Sequence, residues 1–303
     1  MKKTIQIYGV PMDLGANLRG VDMGPSALRI AGIRGAIEKL GHDVLDMGDL
    51  SVESRVSQED DHSSARFATS VAEACERITI AAEAAVTTGA IPVFLGGDHS
   101  IAVGTIGGVA AALRNTDESL GVIWFDAHTD MNTPETSPSG NVHGMPLSAL
   151  LGIGDERLTN VGGWTGKIKE ENVCVIGARQ VDGGEKDLVA SSGVTVFSMK
   201  EVDCLGMAEV SRRALEIAGQ GTGGVHLSFD IDGLDPAVAP GVGTPVRGGI
   251  NFREAHLLME LIADSGLLRA LDIVELNPVR DLRNETAEAV VHLVQSVFGR
   301  SIL

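Results

Sequence analysis

The sequence is poor in aromatic and basic residues. Phe, Trp and Tyr make up only 3% of its 303 residues, and 24 Lys and Arg stand against 41 Asp and Glu, a formal net charge of −17. Phosphate backbones are bound by clusters of Lys and Arg, and the sequence has no such cluster, so we expect no nucleic-acid partner. The acidic field would suit a cationic ligand, although a net charge of this size also serves solubility alone.

Cysteines and long hydrophobic runs are also scarce. The three cysteines are Cys75, Cys174 and Cys204. They form no C-x-x-C pair and leave an odd thiol in any disulfide scheme, which indicates a reducing compartment. The apolar stretch near the N-terminus is too short for a signal peptide and is interrupted by Gln6 and Pro11. The longest weakly polar segment, residues 79–97, contains a glutamate and a proline, which is typical of a helix end followed by a strand. We therefore expect a cytoplasmic protein with no membrane partner.

What the sequence does contain is a regular alternation of short apolar segments with helix-length amphipathic segments. This pattern predicts a parallel sheet with helices on both faces. The predicted strands are residues 5–8, 44–47, 91–95, 121–125, 173–176, 194–197, 225–229 and 271–275. Helices are predicted just after Pro25 and over residues 66–86 and 284–298. No internal repeat or linker interrupts the pattern, so we expect a single domain over residues 1–303.

Acids and histidines follow four of the predicted strands. Ligands of open parallel sheets bind at the carboxyl ends of the strands, so this edge is where a site is expected. In D-A-H-T-D, the side chains of Asp126, His128 and Asp130 would point to the same side of an extended chain. Each residue taken alone is more typical of a helix cap or a loop hydrogen bond. The residues at these strand ends are His99, Asp126, His128, Asp130, Asp230, Asp232 and Glu275.

The number of carboxylates in this set indicates a metal centre. Four carboxylates in one pocket cannot all stay ionised without cations, and two divalent ions would neutralise them. Six protein ligands suit a two-metal centre. Oxygen-rich ligation with two imidazoles and no thiolate favours manganese over zinc. A water shared by two such ions becomes hydroxide at neutral pH, so we expect a hydrolase.

Four motifs carry a family resemblance. They are G-G-D-H-S at 96–100, D-A-H-T-D-M-N at 126–132, S-G-N-V-H-G-M-P at 139–146 and S-F-D-I-D-G-L-D-P at 228–236. They resemble the signatures of the ureohydrolases, and within that family those of the arginases. The similarity covers essentially the whole chain, from G-V-P-M-D-L-G near the start to E-L-N-P at Glu275. It implies a dinuclear manganese enzyme that splits L-arginine into L-ornithine and urea. It also implies a three-layer α/β/α fold with a central, mainly parallel eight-stranded sheet, and a trimer or hexamer.

The resemblance further implies a role for each site residue. One manganese ion takes His99, Asp126, Asp130 and Asp230, and the other takes His128, Asp126, Asp230 and Asp232, so that Asp126 and Asp230 bridge. The bridging hydroxide is expected to attack the guanidinium carbon. Of the catalytic residues, Asp130 handles the proton of the leaving amine, His143 shuttles protons to solvent, and Glu275 holds the guanidinium. The alternatives are a helix-capping role for Glu275 and a plain surface position for His143.

Recognition of the far end of the substrate distinguishes arginine, which has an α-carboxylate and an α-ammonium, from agmatine, which has neither. The expected substrate contacts are His128, Asn132, Ser139, Asn141, Asp182, Thr244 and Glu275. The neutral ones suit the carboxylate, and Asp182 suits the ammonium. Gln180 and Gly183 depart from the arginase pattern at this end. An agmatinase or another guanidino-compound ureohydrolase is the alternative function. A non-catalytic arginine-binding regulator is less consistent with a complete set of six metal ligands.

Overall fold

One sheet of eight parallel strands runs through residues 2–57 and 64–300, which are the residues that the computed structural model describes. The strands are β1 (Thr4–Val10), β2 (Asp43–Asp49), β3 (Ile91–Gly96), β4 (Ser119–Phe125), β5 (Val173–Ala178), β6 (Thr195–Ser198), β7 (Thr222–Asp230) and β8 (Leu268–Val274). Their order across the sheet is β2-β1-β3-β8-β7-β4-β5-β6. Every predicted strand is present, and its ends lie within three residues of the predicted ones. The predicted fold class is confirmed.

Helices connect the strands. They are α1 (Gly24–Ile30), α2 (Ile33–Glu38), α3 (Ala68–Thr87), α4 (Ala102–Arg114), α5 (Pro146–Leu150), α6 (Glu156–Thr159), α7 (Gly183–Ser191), α8 (Met199–Leu205), α9 (Met207–Gly219), α10 (Phe252–Ser265) and α11 (Glu285–Val297). The helices predicted over 66–86 and 284–298 correspond to α3 and α11. The segment after Pro25 forms two helices because Gly32 adopts a left-handed conformation, φ 85°, between them.

The helices form a layer on each face of the sheet. One core packs α1, α2 and α8 to α11 against side chains such as Ile7, Ile123 and Phe229. The other packs α3 to α6 against side chains such as Phe94 and Trp124. Strands covered on both faces are apolar on both, which explains the unbroken hydrophobic runs in the sequence. None of the helices in the described ranges is long and apolar enough to cross a membrane.

The sheet order brings the polar strand ends together. The strands β3, β8, β7 and β4 are consecutive neighbours, with β5 beside β4. Because all these strands are parallel, their carboxyl ends lie at one edge of the sheet. The histidines and acids that follow them therefore converge at the centre of that edge.

Candidate metal centre and active site

The first group of candidate metal ligands surrounds His99, which begins the short turn of helix after β3 and is 1% exposed. Its Nδ1 lies 3.1 Å from Oδ2 of each of Asp126, Asp130 and Asp230. Within the described residues, none of these contacts has hydrogen-bond geometry, so the buried Nδ1 has no hydrogen-bond partner. Three carboxylate oxygens and one ring nitrogen that face each other without sharing a proton fit a divalent cation.

The second group shares a carboxylate with the first. Nδ1 of His128 lies 3.2 Å from Oδ1 of Asp126 and 3.3 Å from Oδ2 of Asp232. Asp126 therefore presents one oxygen to each imidazole, as a ligand between two ions would. Asp230 belongs to the His99 group. Its predicted bridge to the second ion stays a prediction.

The chain after β4 is shaped to hold this arrangement. The indole Nε1 of Trp124 donates to Asp126 Oδ2 at 2.9 Å, and the backbone N–H of His128 donates to Asp126 Oδ1 at 2.7 Å. Both oxygens of Asp126 are thereby fixed in direction. Asp130 has a left-handed backbone, φ 48°, a conformation that Asp tolerates better than most residues. This turn brings the third side chain of the motif back toward His99.

The electrostatics of the two groups also favour cations. Burial raises the pKa of Asp130 to about 7, and the charge of Asp126 adds to this rise. Burial and neighbouring carboxylates likewise raise the pKa of Asp230 well above its usual range. Burial opposes the charged forms of His99 and His128, but the surrounding carboxylates outweigh it and raise the pKa of both. Without cations the site must bind protons to limit the repulsion, so metal binding would displace them.

A cavity of about 230 Å³ opens beside the two groups. It is a small polar cleft, of a kind that suits a small charged molecule. Six of the seven predicted substrate contacts line it: His128, Asn132, Ser139, Asn141, Asp182 and Thr244. The seventh, Glu275, lines an adjoining cavity of about 220 Å³ that shares Asn141, His143 and Thr244 with the first.

Glu275, which is buried, and His143, which is partly exposed, form a close pair. Oε1 of Glu275 lies 3.0 Å from Nδ1 of His143 and accepts a hydrogen bond from the backbone N–H of His99 at 2.9 Å. The charge of Glu275 outweighs burial and raises the pKa of His143 to about 9, and His143 lowers the pKa of Glu275 in return. Sequence patterns did not predict this pair. Since Glu275 also bonds the amide of His99 at a helix start, the capping alternative describes part of its environment.

The cavity is also lined by an acid, Glu185, that sequence patterns missed. Glu185 accepts hydrogen bonds from the N–H of Met131 at 2.9 Å, the N–H of Asp182 at 3.1 Å and the hydroxyl of Thr129. Asp182 begins α7 and forms a capping box with Glu185. The amide Nδ2 of Asn132 donates to Asp182 at 3.0 Å and to Glu185 at 3.4 Å. The spacing D-x-x-E at 182–185 is the sequence signal that could have identified Glu185.

The remaining predicted positions are as follows. The hydroxyl of Thr244 donates to Asp232 Oδ2 at 2.7 Å, so this residue orients a candidate metal ligand as well as lining the cavity. Gln180 lines the cavity and is held by its N–H, which donates to the carbonyl of Ala127 at 3.0 Å. A Cβ at Gly183 would meet no atom within 4 Å, so the departure from the family pattern there leaves open space.

The fold and the site together are those of the ureohydrolase class of α/β proteins. A sequence model described as "Arginase family" matches residues 3–299. The chain is 51% identical over 305 residues to an arginase of Brevibacillus brevis, with 100% of both chains covered. The native structure of the arginase of Bacillus caldovelox matches with a TM-score of 0.94 at 50% identity, with 100% of both chains covered. The chain belongs to the arginase family, as its motifs predicted.

A structure of a hypothetical agmatinase from Burkholderia thailandensis is more distant. Its TM-score is 0.75 at 26% identity, with 98% of this chain and 85% of that chain covered. The full-length similarity to curated arginases therefore favours the arginase function over the agmatinase alternative. Membership of the family also supports the predicted class of enzyme, a hydrolase of a guanidino C–N bond.

Proposed function

We propose that this protein is an arginase, which hydrolyses L-arginine to L-ornithine and urea with two manganese ions. The single observation that carries the proposal is the position of Asp126, which presents one oxygen to each of two imidazoles beside a small polar cavity. The identity of the chain with curated arginases supports the same function. The activity would reside in one domain over residues 1–303. Its free thiols favour a cytoplasmic location, and the family resemblance favours a trimer or hexamer.

The two ions would be held by the side chains that converge at the sheet edge. These are His99, Asp126, Asp130 and Asp230 for one ion, and His128, Asp126, Asp230 and Asp232 for the other. When bound, such ions supply the Lewis acidity that makes water nucleophilic at neutral pH. Four carboxylates without a thiolate favour manganese over zinc.

The acids around the cavities would bind and orient the substrate. Arginine carries a guanidinium at one end, and Glu275 is the buried carboxylate that would hold it by a charge-assisted hydrogen bond. At the other end, Asp182 would attract the α-ammonium, with Glu185 directly behind it. Asn141 would donate to the α-carboxylate. Fixing both ends holds the reacting carbon in one place, and orientation of this kind lowers the barrier to reaction.

Two side chains would manage the protons. Asp130, which lies beside His99 at the candidate metal centre, would carry a proton to the leaving amine. His143 lies between the two cavities, where its imidazole would exchange protons with solvent.

A urea-release assay tests the proposal. Metal-free protein reloaded with manganese would be given arginine, agmatine or 4-guanidinobutanoate, and we expect arginine to have the highest kcat/KM. A preference for agmatine would indicate an agmatinase. Binding of arginine without release of urea would indicate a regulator.

A further inference from the structure

A second polar cluster lies beneath the metal centre, in the apolar layer between the sheet and α4. Its members are Thr105, His226, Ser228 and Asp272, and each is 0% exposed. In the sheet register, Ser228 of β7 lies directly opposite Asp272 of β8. None of these side chains reaches the substrate cavity, so the mechanism above does not use them.

The cluster is organised around one carboxylate oxygen. Oδ2 of Asp272 accepts hydrogen bonds from the hydroxyl of Thr105 at 2.7 Å and from that of Ser228 at 3.3 Å. Nε2 of His226 lies 2.9 Å from the same oxygen but outside hydrogen-bond geometry. Oδ1 of Asp272 has no hydrogen-bond partner among the described residues. Ser228 is the member that connects this cluster to the metal centre.

That connection is to the far side of the His99 ring. Oγ of Ser228 lies 2.9 Å from Nε2 of His99, while Nδ1 of the same ring faces Asp126, Asp130 and Asp230. Trp124 stacks on the ring at a centroid distance of 4.1 Å and prevents it from turning away. A histidine ligand is set by the hydrogen bond of its other nitrogen.

The single proton of the Ser228 hydroxyl decides the direction of this bond. When the hydroxyl donates its hydrogen bond to Asp272, the oxygen of Ser228 can only accept from His99. Nε2 of His99 then carries the hydrogen, and Nδ1 keeps a lone pair directed at the carboxylates. That is the tautomer that a cation requires. If Ser228 instead donated to His99, the neutral ring would carry its hydrogen on Nδ1, where it would compete with the ion.

We propose that Asp272 is a positioning residue that, through Ser228, fixes His99 in its metal-binding tautomer. The proposal rests on the metal-binding part of the proposed function. In Asp272→Leu, no acceptor remains at the position of Oδ2, so the hydroxyl of Ser228 donates to Nε2 of His99 instead. Loss of such an outer partner typically weakens metal binding about 10- to 100-fold.

The test is a manganese titration of stripped full-length protein against a chelating indicator. We expect Asp272→Leu to weaken binding of the ion at the His99 group about 10- to 100-fold. Thr105→Val is the matched control, because it removes a hydrogen bond to the same oxygen but leaves the hydroxyl of Ser228 donating to Asp272. It should change the affinity by less than about 3-fold, a shift well below that range. Equal weakening by both variants, or wild-type affinity in Asp272→Leu, would overturn the proposal.

A second variant makes the test independent of how well Asp272→Leu folds. Ser228→Ala breaks the same connection and leaves Asp272 in place, and it should also weaken binding of the ion about 10-fold or more. The double variant should bind as Ser228→Ala does, since Asp272 acts only through Ser228. The proposal would be contradicted if the loss of affinity in the double variant were the product of the two single losses, or if Ser228→Ala bound manganese as tightly as wild type. If wild type itself bound no manganese, the proposed function would fail first, so the two failures are distinguishable.

Discussion

Removing the metal ions should lower the melting temperature by about 8 °C when the reference sample contains manganese at 100 times its Kd. Each ion that binds only the folded state then contributes about 2.7 kcal/mol. Unfolding entropy is about 2.1 cal/mol/K per residue, which for 303 residues gives roughly 0.64 kcal/mol per degree. One occupied site is therefore equivalent to about 4 °C and two sites to about 8 °C.

The change in melting temperature should divide between the two groups of candidate ligands, one around His99 and one around His128. Asp232 belongs only to the group of His128, so Asp232→Asn should retain the shift of one site, about 4 °C. Asp126 belongs to both groups, so Asp126→Asn should lose nearly all of it. Without metal the order should reverse. Each amide relieves repulsion among the buried carboxylates, so both stripped variants should melt no lower than stripped wild type.

Calorimetry of each protein with chelator and with a manganese series would measure these shifts. Asp264→Asn, which changes an exposed acid of α10, is the control and should keep the full shift. A two-site shift retained by Asp126→Asn would refute the shared-ligand arrangement. If Asp232→Asn and Asp126→Asn lost the same part of the manganese-induced rise in melting temperature, the two ions would bind only as a pair.

Other sites give three further predictions. Asp182→Ala should lower kcat/KM for arginine by an amount equivalent to roughly 1.5 to 3 kcal/mol of transition-state stabilisation, and Asn141→Ala by about 0.5 to 1.5 kcal/mol, while kcat/KM for agmatine barely changes. Equal losses of kcat/KM for agmatine would contradict these contacts. His143→Asn should lower kcat about 100-fold and abolish a rise of kcat/KM with pH through about 9, because only neutral His143 accepts a proton; an unchanged pH profile would exclude the shuttle. The Arg29 guanidinium lowers the pKa of Asp46, so their ion pair stabilises the fold above the ordinary Asp pKa, and this is lost as pH falls through the lower folded value. Urea titrations should show Asp46→Asn about 1 kcal/mol less stable at pH 7, a difference that shrinks below about pH 4.

The ligand set could be predicted from the sequence because its geometry is local. A parallel strand places the residues that follow it at one edge of the sheet, and alternate residues project to one side. The first rule places Asp126, His128 and Asp130 at that edge without any knowledge of the strand order. The second rule does not hold for them, because the chain bends at residues 126–128 and Asp130 is left-handed, so local turns and not an extended chain bring the three side chains together. The pair of His143 and Glu275 is different, because it joins residues 132 positions apart. Its formation depends on the path of the loop after β4, which no local pattern specifies.

The second polar cluster, which contains Asp272, did leave a local signal in the sequence, although the meaning of that signal depends on the register of the sheet. A strand covered by helices on both faces should be apolar throughout, but V-H-L-S-F-D carries His226, Ser228 and Asp230 at alternate positions. These side chains share one face, so the strand that ends in a metal ligand carries polar partners for the site on that same face. The partner strand carries Asp272 opposite Ser228. A shift of one residue between β7 and β8 would turn Asp272 to the other face and leave Ser228 facing an apolar neighbour, so the orientation of His99 depends on the pairing of these two strands.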